Sequence, residues 1–524
     1  MIIKVLLLLV FFAVTIFVGL YFRKRASSVN DFVLAGRSVG PWLTAFAYGT
    51  AYFSAVVFVG YAGQFGWLYG TSAVWIGLGN AFIGSLLAWV VLGRRTRIMT
   101  NHLGSATMPE FFGSRFESTA LKIGASIIIF VFLIPYTASL YNGLSRLFAM
   151  AFGVDFVYCI IAMAVLTAIF VVAGGYLGTA VNNFIQGMLM LGGITAIIAA
   201  VLRSNGGFLA AINSLAYVNE VNAQGVVTSA PGVFTSFFGP DPIGLLGVVI
   251  LTSLGTWGLP QMVARFYSIK NENMIKKGAI ISTIFAIVIA GGSYFLGSFG
   301  RLYSDVIERR PNGAVIFDSI IPAILSQYSD LLIGIVVVLV FAASISTLSS
   351  LVLASSSTLT LDFLKGHIIK KMDDKKQLLI IRVFIIVFIV ISSVIAIYQY
   401  TITSRGGTTF IAQLMGVSWG ALAGSFLAPF LYGLYWKRVS KVSIWVCFLF
   451  STTLMILNIL FRSSLPAILQ SPINAGAFAM LCGLVIVPVV SLFTKAPAKT
   501  TVENCFSCYE ETVNVKVRDA LAND

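Results

Sequence analysis

Ala47-Tyr-Gly-Thr-Ala-Tyr-Phe-Ser54 sits inside an otherwise continuous apolar run, residues 42–65. Gly49, flanked by Ala, Thr and Ser side chains, is expected to weaken a helix there, at the middle of the run. A second run, residues 243–266, carries Leu251-Thr-Ser-Leu-Gly-Thr-Trp-Gly-Leu-Pro-Gln261, where Gly255, Gly258 and Pro260 have the same effect. A third stretch, Phe341-Ala-Ala-Ser-Ile-Ser-Thr-Leu-Ser-Ser350, places five hydroxyls in a run that is hydrocarbon-like from about Leu331 to Leu361. Ala343, Ser346, Thr347 and Ser350 recur at i, i+3, i+4 and i+7. A helix therefore carries them on one face, with side chains small enough for a neighbouring backbone to come close. Taken singly, Gly and Pro are common in membrane helices, and a Ser or Thr can bond back to the carbonyl four residues earlier. Together, freed carbonyls and clustered hydroxyls are the neutral oxygens that hold a bare, hard cation.

Composition settles the solvent. Of 524 residues, 58% are hydrophobic and 10% charged, and the mean hydropathy is +0.95. No water-soluble domain of this size has that make-up. Runs of the roughly 20 residues that cross a bilayer occur near 2–22, 42–65, 73–93, 123–152, 156–173, 181–202, 243–266, 278–300, 331–360, 377–399, 409–435, 442–461 and 474–494. They predict an all-α polytopic membrane protein of about thirteen transmembrane helices. The first run has no small-residue cleavage site before Arg23-Lys-Arg25 and is read as a retained span.

With the amino terminus outside, inner loops and tail hold 26 of the 34 Lys and Arg and outer loops hold eight. The positive-inside rule then places the carboxyl terminus in the cytoplasm; a plasma membrane is the expected location. The net charge of +15 reflects this topology and implies no nucleic-acid partner. All 19 Asp and Glu fall in loops, at span ends or in the tail, with Asp155, Asp330 and Asp362 closest to the bilayer, and His102 and His367 lie in inner loops. A proton relay through a membrane needs ionisable side chains along its path, so neutral oxygens must do any ion binding.

The two interrupted runs stand five spans apart, the arrangement that points to an inverted-repeat transporter with its site at the freed helix ends. Other classes fit less well. No GxxxxGK[ST] loop is present to cradle phosphate. An ion channel would need a ring of acids or a filter-like run of carbonyls. A transporter-derived sensor would need an output domain, for which the roughly 30-residue tail, 495–524, is too short. An enzyme would need an acid, His or Cys cluster at a reactive position. No organic cofactor is called for.

Several motifs now carry a resemblance: Asp31-Phe-Val-Leu-Ala-Gly-Arg-Ser38, Phe53-Ser-Ala-Val-Val-Phe-Val-Gly-Tyr-Ala-Gly63, Thr107-Met-Pro-Glu-Phe-Phe-Gly-Ser-Arg115, Gly174-Gly-Tyr176, Gly258-Leu-Pro-Gln-Met-Val-Ala-Arg-Phe266, Ala342-Ala-Ser-Ile-Ser-Thr-Leu-Ser349 and Trp436-Lys-Arg438. In order and spacing the chain resembles the sodium/solute symporter family of proline, pantothenate, monocarboxylate, sialic acid and sugar carriers. The resemblance implies a LeuT-like core of two inverted five-helix repeats. The expected divisions are a first helix and inner loop (1–41), a first repeat (42–202), an outer loop (203–242), a second repeat (243–435), two further spans (436–494) and a cytoplasmic tail (495–524).

It also implies a sodium ion as the coupling ion, held by the carbonyls of Thr50, Phe53 and Ala343 and the hydroxyls of Ser346 and Thr347. Several relatives place an Asp about where Asn183 stands, working with hydroxyls that match Ser346, Ser349 and Ser350; without that carboxylate one sodium is expected, not two. Tyr52 stands where proline carriers have Asp, and Val57 where a sugar carrier has Gln. The residues expected along the central cavity are Tyr52, Ser54, Val57, Tyr136, Ser139, Thr252, Thr256, Trp257 and Gln413. This mostly apolar, aromatic and hydroxylic lining favours a small monocarboxylate or amino acid over a sugar, with a pantothenate-type vitamin as the alternative. The oligomeric state is left open.

Cys159, Cys447 and Cys482 fall in spans as small apolar residues. Cys505-Phe-Ser-Cys508, with no second pair and no nearby His, is read as reduced thiols in a loosely ordered tail.

Overall fold

A computed structural model describes all residues except 1, 23–27, 221–226, 228, 311–312, 366–367, 370–371, 404–410 and 510–524. His367, Arg405, the basic cluster 23–25 and the last part of the tail therefore lie outside the described residues. Apart from three isolated backbone bridges, the regular structure among the described residues is helical.

Eleven stretches among them are long and apolar enough to cross a membrane, against thirteen expected. The difference arises at two places. The part of the second expected span beyond its break and the whole of the third fall within one stretch, Val56–His102, in which Gly70 (φ 60°, ψ −139°) interrupts the helix. Only glycine takes that conformation readily, and a side chain at Gly70 would meet the carbonyl oxygen of Phe234 at 2.0 Å. The fifth expected span is the short helix Phe156–Ile169. Gly175 (φ 55°, ψ −157°) separates it from Gly175–Ser204.

Helix Asp330–Thr358 lies at the centre. From Val336 to Leu353 every residue is buried, so neighbours surround it on all sides. It packs on Phe156–Ser204, Thr119–Phe152, Ile2–Phe22 and the broken helix Pro41–Tyr52. Ile2–Phe22, by contrast, exposes Leu6, Leu9, Phe17 and Leu20 on the outside of the bundle, as a lipid-facing span must. Helices cross most closely at Gly66 and Gly297, where an added Cβ would fall 2.0 Å from the Gly297 carbonyl carbon or 1.9 Å from the Ala62 oxygen. Such small-residue crossings let helix backbones touch in a solvent that supplies no hydrophobic drive between them.

Charged residues tie the span ends. Lys4 is buried, 3.0 Å from the Asp330 carboxylate and donating to the Ala151 carbonyl at 2.8 Å. Asp362 is fully buried, accepts from the Thr107 hydroxyl at 2.5 Å and sits 3.3 Å from Lys122. Arg265 departs from the sequence reading, which counted it with an inner loop. It lies in helix Pro260–Ser268 and is 2% exposed.

The tail also departs from expectation. Residues 499–509 form a helix in which Cys505, Phe506 and Cys508 are buried. Tyr509 and Phe506 lie beneath the guanidinium groups of Arg95 (4.7 Å) and Arg115 (4.9 Å), and the Tyr509 hydroxyl donates to the Leu434 carbonyl at 3.3 Å. A tail short of aliphatics reads as loose, but aromatic rings and thiols at i, i+1, i+3 and i+4 make an apolar face, and the adjacent arginines supply cation–π contacts.

Candidate functional site

Helix Pro41–Tyr52 ends at Phe53, whose backbone is extended (φ −84°, ψ 127°), and helix resumes at Val56 as a wide π-helical stretch, Val56–Tyr61. The break thus falls four residues beyond Gly49. Gly49 serves packing instead, since a Cβ there would lie 2.5 Å from the Phe285 ring. Ending a helix frees its last carbonyls, and the hydroxyl face of Asp330–Thr358 meets them. Ser346 Oγ lies 3.0 Å from the Thr50 carbonyl oxygen and 2.7 Å from that of Ala343. Thr347 Oγ1 lies 3.2 Å from Thr50 O, 3.2 Å from Phe53 O and 3.1 Å from Ala343 O. Five neutral oxygens from Thr50, Phe53, Ala343, Ser346 and Thr347 thus converge in a fully buried spot. Ser344 secures the other side of the break, accepting from the Ala55 N–H at 3.3 Å.

The second interruption lies in the chain that runs from Pro242–Leu254 into Pro260–Ser268. A short 3-10 turn, Gly255–Trp257, leads to an extended Leu259 (φ −81°, ψ 120°) before Pro260 restarts the helix. Thr256 Oγ1 lies 2.9 Å from the Gly84 and Ser253 carbonyls, and Trp257 Nε1 donates to Ile83 O at 2.9 Å. Both side chains therefore anchor the break to the third span. Thr252 bonds back to Val248 O at 2.9 Å. Gly258 lets helix Ile411–Tyr435 approach, since a Cβ would stand 2.8 Å from the backbone of Ala423 and Leu427.

Of the remaining residues expected along the cavity, Ser54 and Tyr136 are buried, and the ring of Trp419 stands edge-on to Tyr136 at 6.0 Å. Ser139 is buried and donates to Tyr136 O at 2.6 Å, and Val57 is buried in the resumed helix. Tyr52 ends the first half-helix; its side chain is not among the described residues. Gln413 stands apart from this group, at a partly exposed position 3.5 Å from Arg462. Trp419 escaped the sequence reading. An indole N–H inside an apolar span was the available signal, because such a group requires a partner.

Ser349 and Ser350 each bond back to Ser346 O at 2.8 Å. Asn183 is buried with neither amide atom hydrogen-bonded. Outside the spans, Arg37 donates to the carbonyls of Ser105 (2.6 Å), Thr100 (3.2 Å) and Tyr267 (3.1 Å). Burial, and secondarily Arg97, pull its pKa down to about 10, which leaves it charged near neutrality.

The chain matches the model of the sodium:solute symporter family over residues 32–445. It is 26% identical over 499 residues to the osmoregulated proline transporter OpuE of Bacillus subtilis, covering 94% of this chain and 95% of that one. It is 28% identical over 447 residues to sodium/proline symporter 2 of Staphylococcus saprophyticus, with 83% and 82% covered. Among solved structures, it is similar to the substrate-bound outward-open state of a Na+-coupled sialic acid symporter (TM-score 0.70, 19% identity, 95% of this chain and 99% of that one). A more distant likeness is to Mhp1, a nucleobase-cation-symport-1 family transporter (TM-score 0.51, 14% identity, 91% and 98%). The two interrupted helices fit that shared fold, and the family pattern spans most of the sequence; the protein is a multi-pass membrane transporter, not an enzyme, and belongs to the sodium:solute symporter family.

Proposed function

We propose that one sodium ion binds the five oxygens of Thr50, Phe53, Ala343, Ser346 and Thr347 and drives import of a small amino acid or monocarboxylate by alternating access. The observation that carries this reading is Thr347 Oγ1 standing 3.1–3.2 Å from three carbonyl oxygens of two different helices. Oxygens so spaced are close to the separation of adjacent ligands around a hard cation held at roughly 2.4 Å. With no carboxylate in the set, the ion keeps its full charge, and the membrane potential acts on it with about 2.3 kcal/mol per 100 mV over the full drop.

The proposed order is sodium first, solute second. In this scheme sodium fixes the half-helix ending at Phe53 against Asp330–Thr358, and solute binds beside Ser54, Tyr136 and Trp419. Linkage is reciprocal, so solute tightens sodium equally. Hydroxyls and an indole offer few polar contacts, which suits a small solute whose carboxylate rests at a half-helix end or near the sodium. The proline-transporting relatives support an amino acid; Tyr52 weighs against the binding mode of the proline carriers themselves. The basic face bearing Arg37, Arg95 and Lys122 is taken as cytoplasmic, in a plasma membrane, with residues 42–202 and 243–435 as the two repeats. No organic cofactor enters the scheme.

Proteoliposomes with an imposed inward sodium gradient test the reading. Labelled proline, other small amino acids, monocarboxylates and pantothenate are offered in turn. Sodium-dependent accumulation of one of the first three classes supports it, accumulation of pantothenate alone moves the solute assignment to the vitamin, and no sodium-dependent accumulation of any contradicts it.

A further inference from the structure

Arg265 holds a buried charge that no carboxylate among the described residues meets within ion-pair distance. Its terminal nitrogen donates to the Ser350 hydroxyl, its guanidinium carbon lies 5.0 Å from the Tyr176 ring, and its Nε has no hydrogen-bond partner. One turn earlier on the same helix face, Gln261 is 2% exposed, and neither atom of its amide is hydrogen-bonded. Gln261, Arg265, Ser350, Tyr176 and Thr107 line one small cavity of about 40 Å³.

Among the described residues the surroundings offer no internal counter-ion. Ser350 and Thr107 supply hydroxyls, and Thr107 is itself bonded to Asp362, whose carboxylate is paired with Lys122. A lone charge in a low-dielectric interior is expensive unless something of opposite sign joins it. Two groups of donors face the space, the guanidinium and the Gln261 amide, and charge-assisted hydrogen bonds to an anion satisfy both. A water needs roughly 10–15 Å³ of such volume, so the cavity takes about three water-sized atoms. That is room for a halide or a single carboxylate group and too little for a whole amino acid.

We propose that this cavity is a monovalent-anion site, in which Arg265 and Gln261 bind a chloride ion or one carboxylate group. It lies one helical turn beyond Ser346 on the hydroxyl helix, is built from different side chains than the five-oxygen cluster, and does not depend on the assignment of that cluster. Its occupant would offset the positive charge of Arg265 next to the cation cluster.

The test is the thermal stability of the purified full-length protein at fixed sodium and ionic strength, with a bulky aromatic sulfonate, which bears no carboxylate and is too wide for the cavity, replaced stepwise by chloride or by acetate. A ligand that binds the folded state raises the melting temperature saturably. The wild type is expected to show such a rise. Saturation at lower acetate concentration identifies a carboxylate as the natural occupant, and at lower chloride concentration a halide. Gln261→Glu places a carboxylate beside Arg265 and is expected to abolish the anion response. A wild-type melting temperature that does not change with the anion overturns the proposal, as does an unaltered response in Gln261→Glu. The wild-type titration decides on its own if that variant does not fold. Because sodium is held constant and no uptake is measured, a negative result here leaves the symport reading untouched, and failure of uptake leaves this one untouched.

Discussion

The hydroxyl oxygen of Thr347 lies 3.2 Å from the carbonyl oxygen of Phe53, a residue 294 positions away in the chain, and at the same distance from that of Thr50. One side chain therefore spans the gap where the second span is interrupted. In the proposed scheme a cation in that gap would hold the two helices together, and its departure would leave the three carbonyls sharing the two protons of Ser346 and Thr347. Affinity for the ion and the position of the half-helix would then be one property.

Sodium dependence of uptake is expected to follow a Hill coefficient near one. Ser349 and Ser350 spend their hydroxyls on the Ser346 carbonyl, and Asn183 brings no negative charge to that side of the helix. A coefficient near two, measured at saturating solute, would show a second coupled ion.

Lys122→Gln is expected to destabilise the protein by about 3 kcal/mol, the low end for breaking a buried ion pair because Lys122 itself is 20% exposed. The loss comes from stranding Asp362, which is fully buried. Lys122→Gln combined with Asp362→Asn should recover more than half of it, since no charge is then left alone. A double variant as unstable as the single one, by melting in detergent, would place the damage elsewhere.

Gly297→Ala is expected to lower stability by roughly 1–3 kcal/mol or prevent assembly, as overpacking does, because the added methyl would meet the Ala62 carbonyl oxygen at 1.9 Å. Gly291→Ala is the control. It lies six residues earlier with open space at its Cβ, and should be neutral. Equal expression and melting of the two variants would contradict the close crossing.

Cys505 and Cys508 are expected to resist a membrane-permeant maleimide in the intact protein. Both are nearly fully buried, and burial pushes the Cys505 thiol above its ordinary pKa, which lowers its thiolate fraction. Replacing Phe506 and Tyr509 together with Ala removes the cation–π contacts to Arg115 and Arg95, worth about 0.5–1 kcal/mol each, and should make both thiols reactive. Rapid labelling of the wild type would show that the tail helix does not stay docked.

Much of this architecture is written in hydropathy. Long apolar runs with basic connections have one physical solution, and the hydroxyls between Ser344 and Ser350 were legible because a 3.6-residue period puts four small residues on one face. The break in the second span was legible only in outline. Gly49 marked the right helix, but the chain turns at Phe53–Ser54, where hydroxyls from a distant helix take over the carbonyls, and Gly49 answers to the Phe285 ring. Such tertiary capping has no local signature.

Other misses share one cause. Trp419 and Gln413 lie six residues apart in one apolar helix, and hydropathy does not say that the first meets Tyr136 while the second stands near Arg462. Arg265 read as a loop residue because charge ends an apolar window, yet its helix continues to Ser268 and buries it. The tail read as loose because aliphatics were counted and its ring-and-thiol face was not.

The most direct test of the central claim is a sodium titration of solute uptake in proteoliposomes for wild type, Thr347→Ser and Thr347→Ala, with protein amounts matched. Losing one oxygen on a charged ligand is worth about 2 kcal/mol, so Thr347→Ala should require roughly thirtyfold more sodium for half-maximal uptake, while Thr347→Ser, which keeps the oxygen, stays close to wild type. Identical sodium dependence in all three would show that the cation does not bind between Phe53 and Thr347.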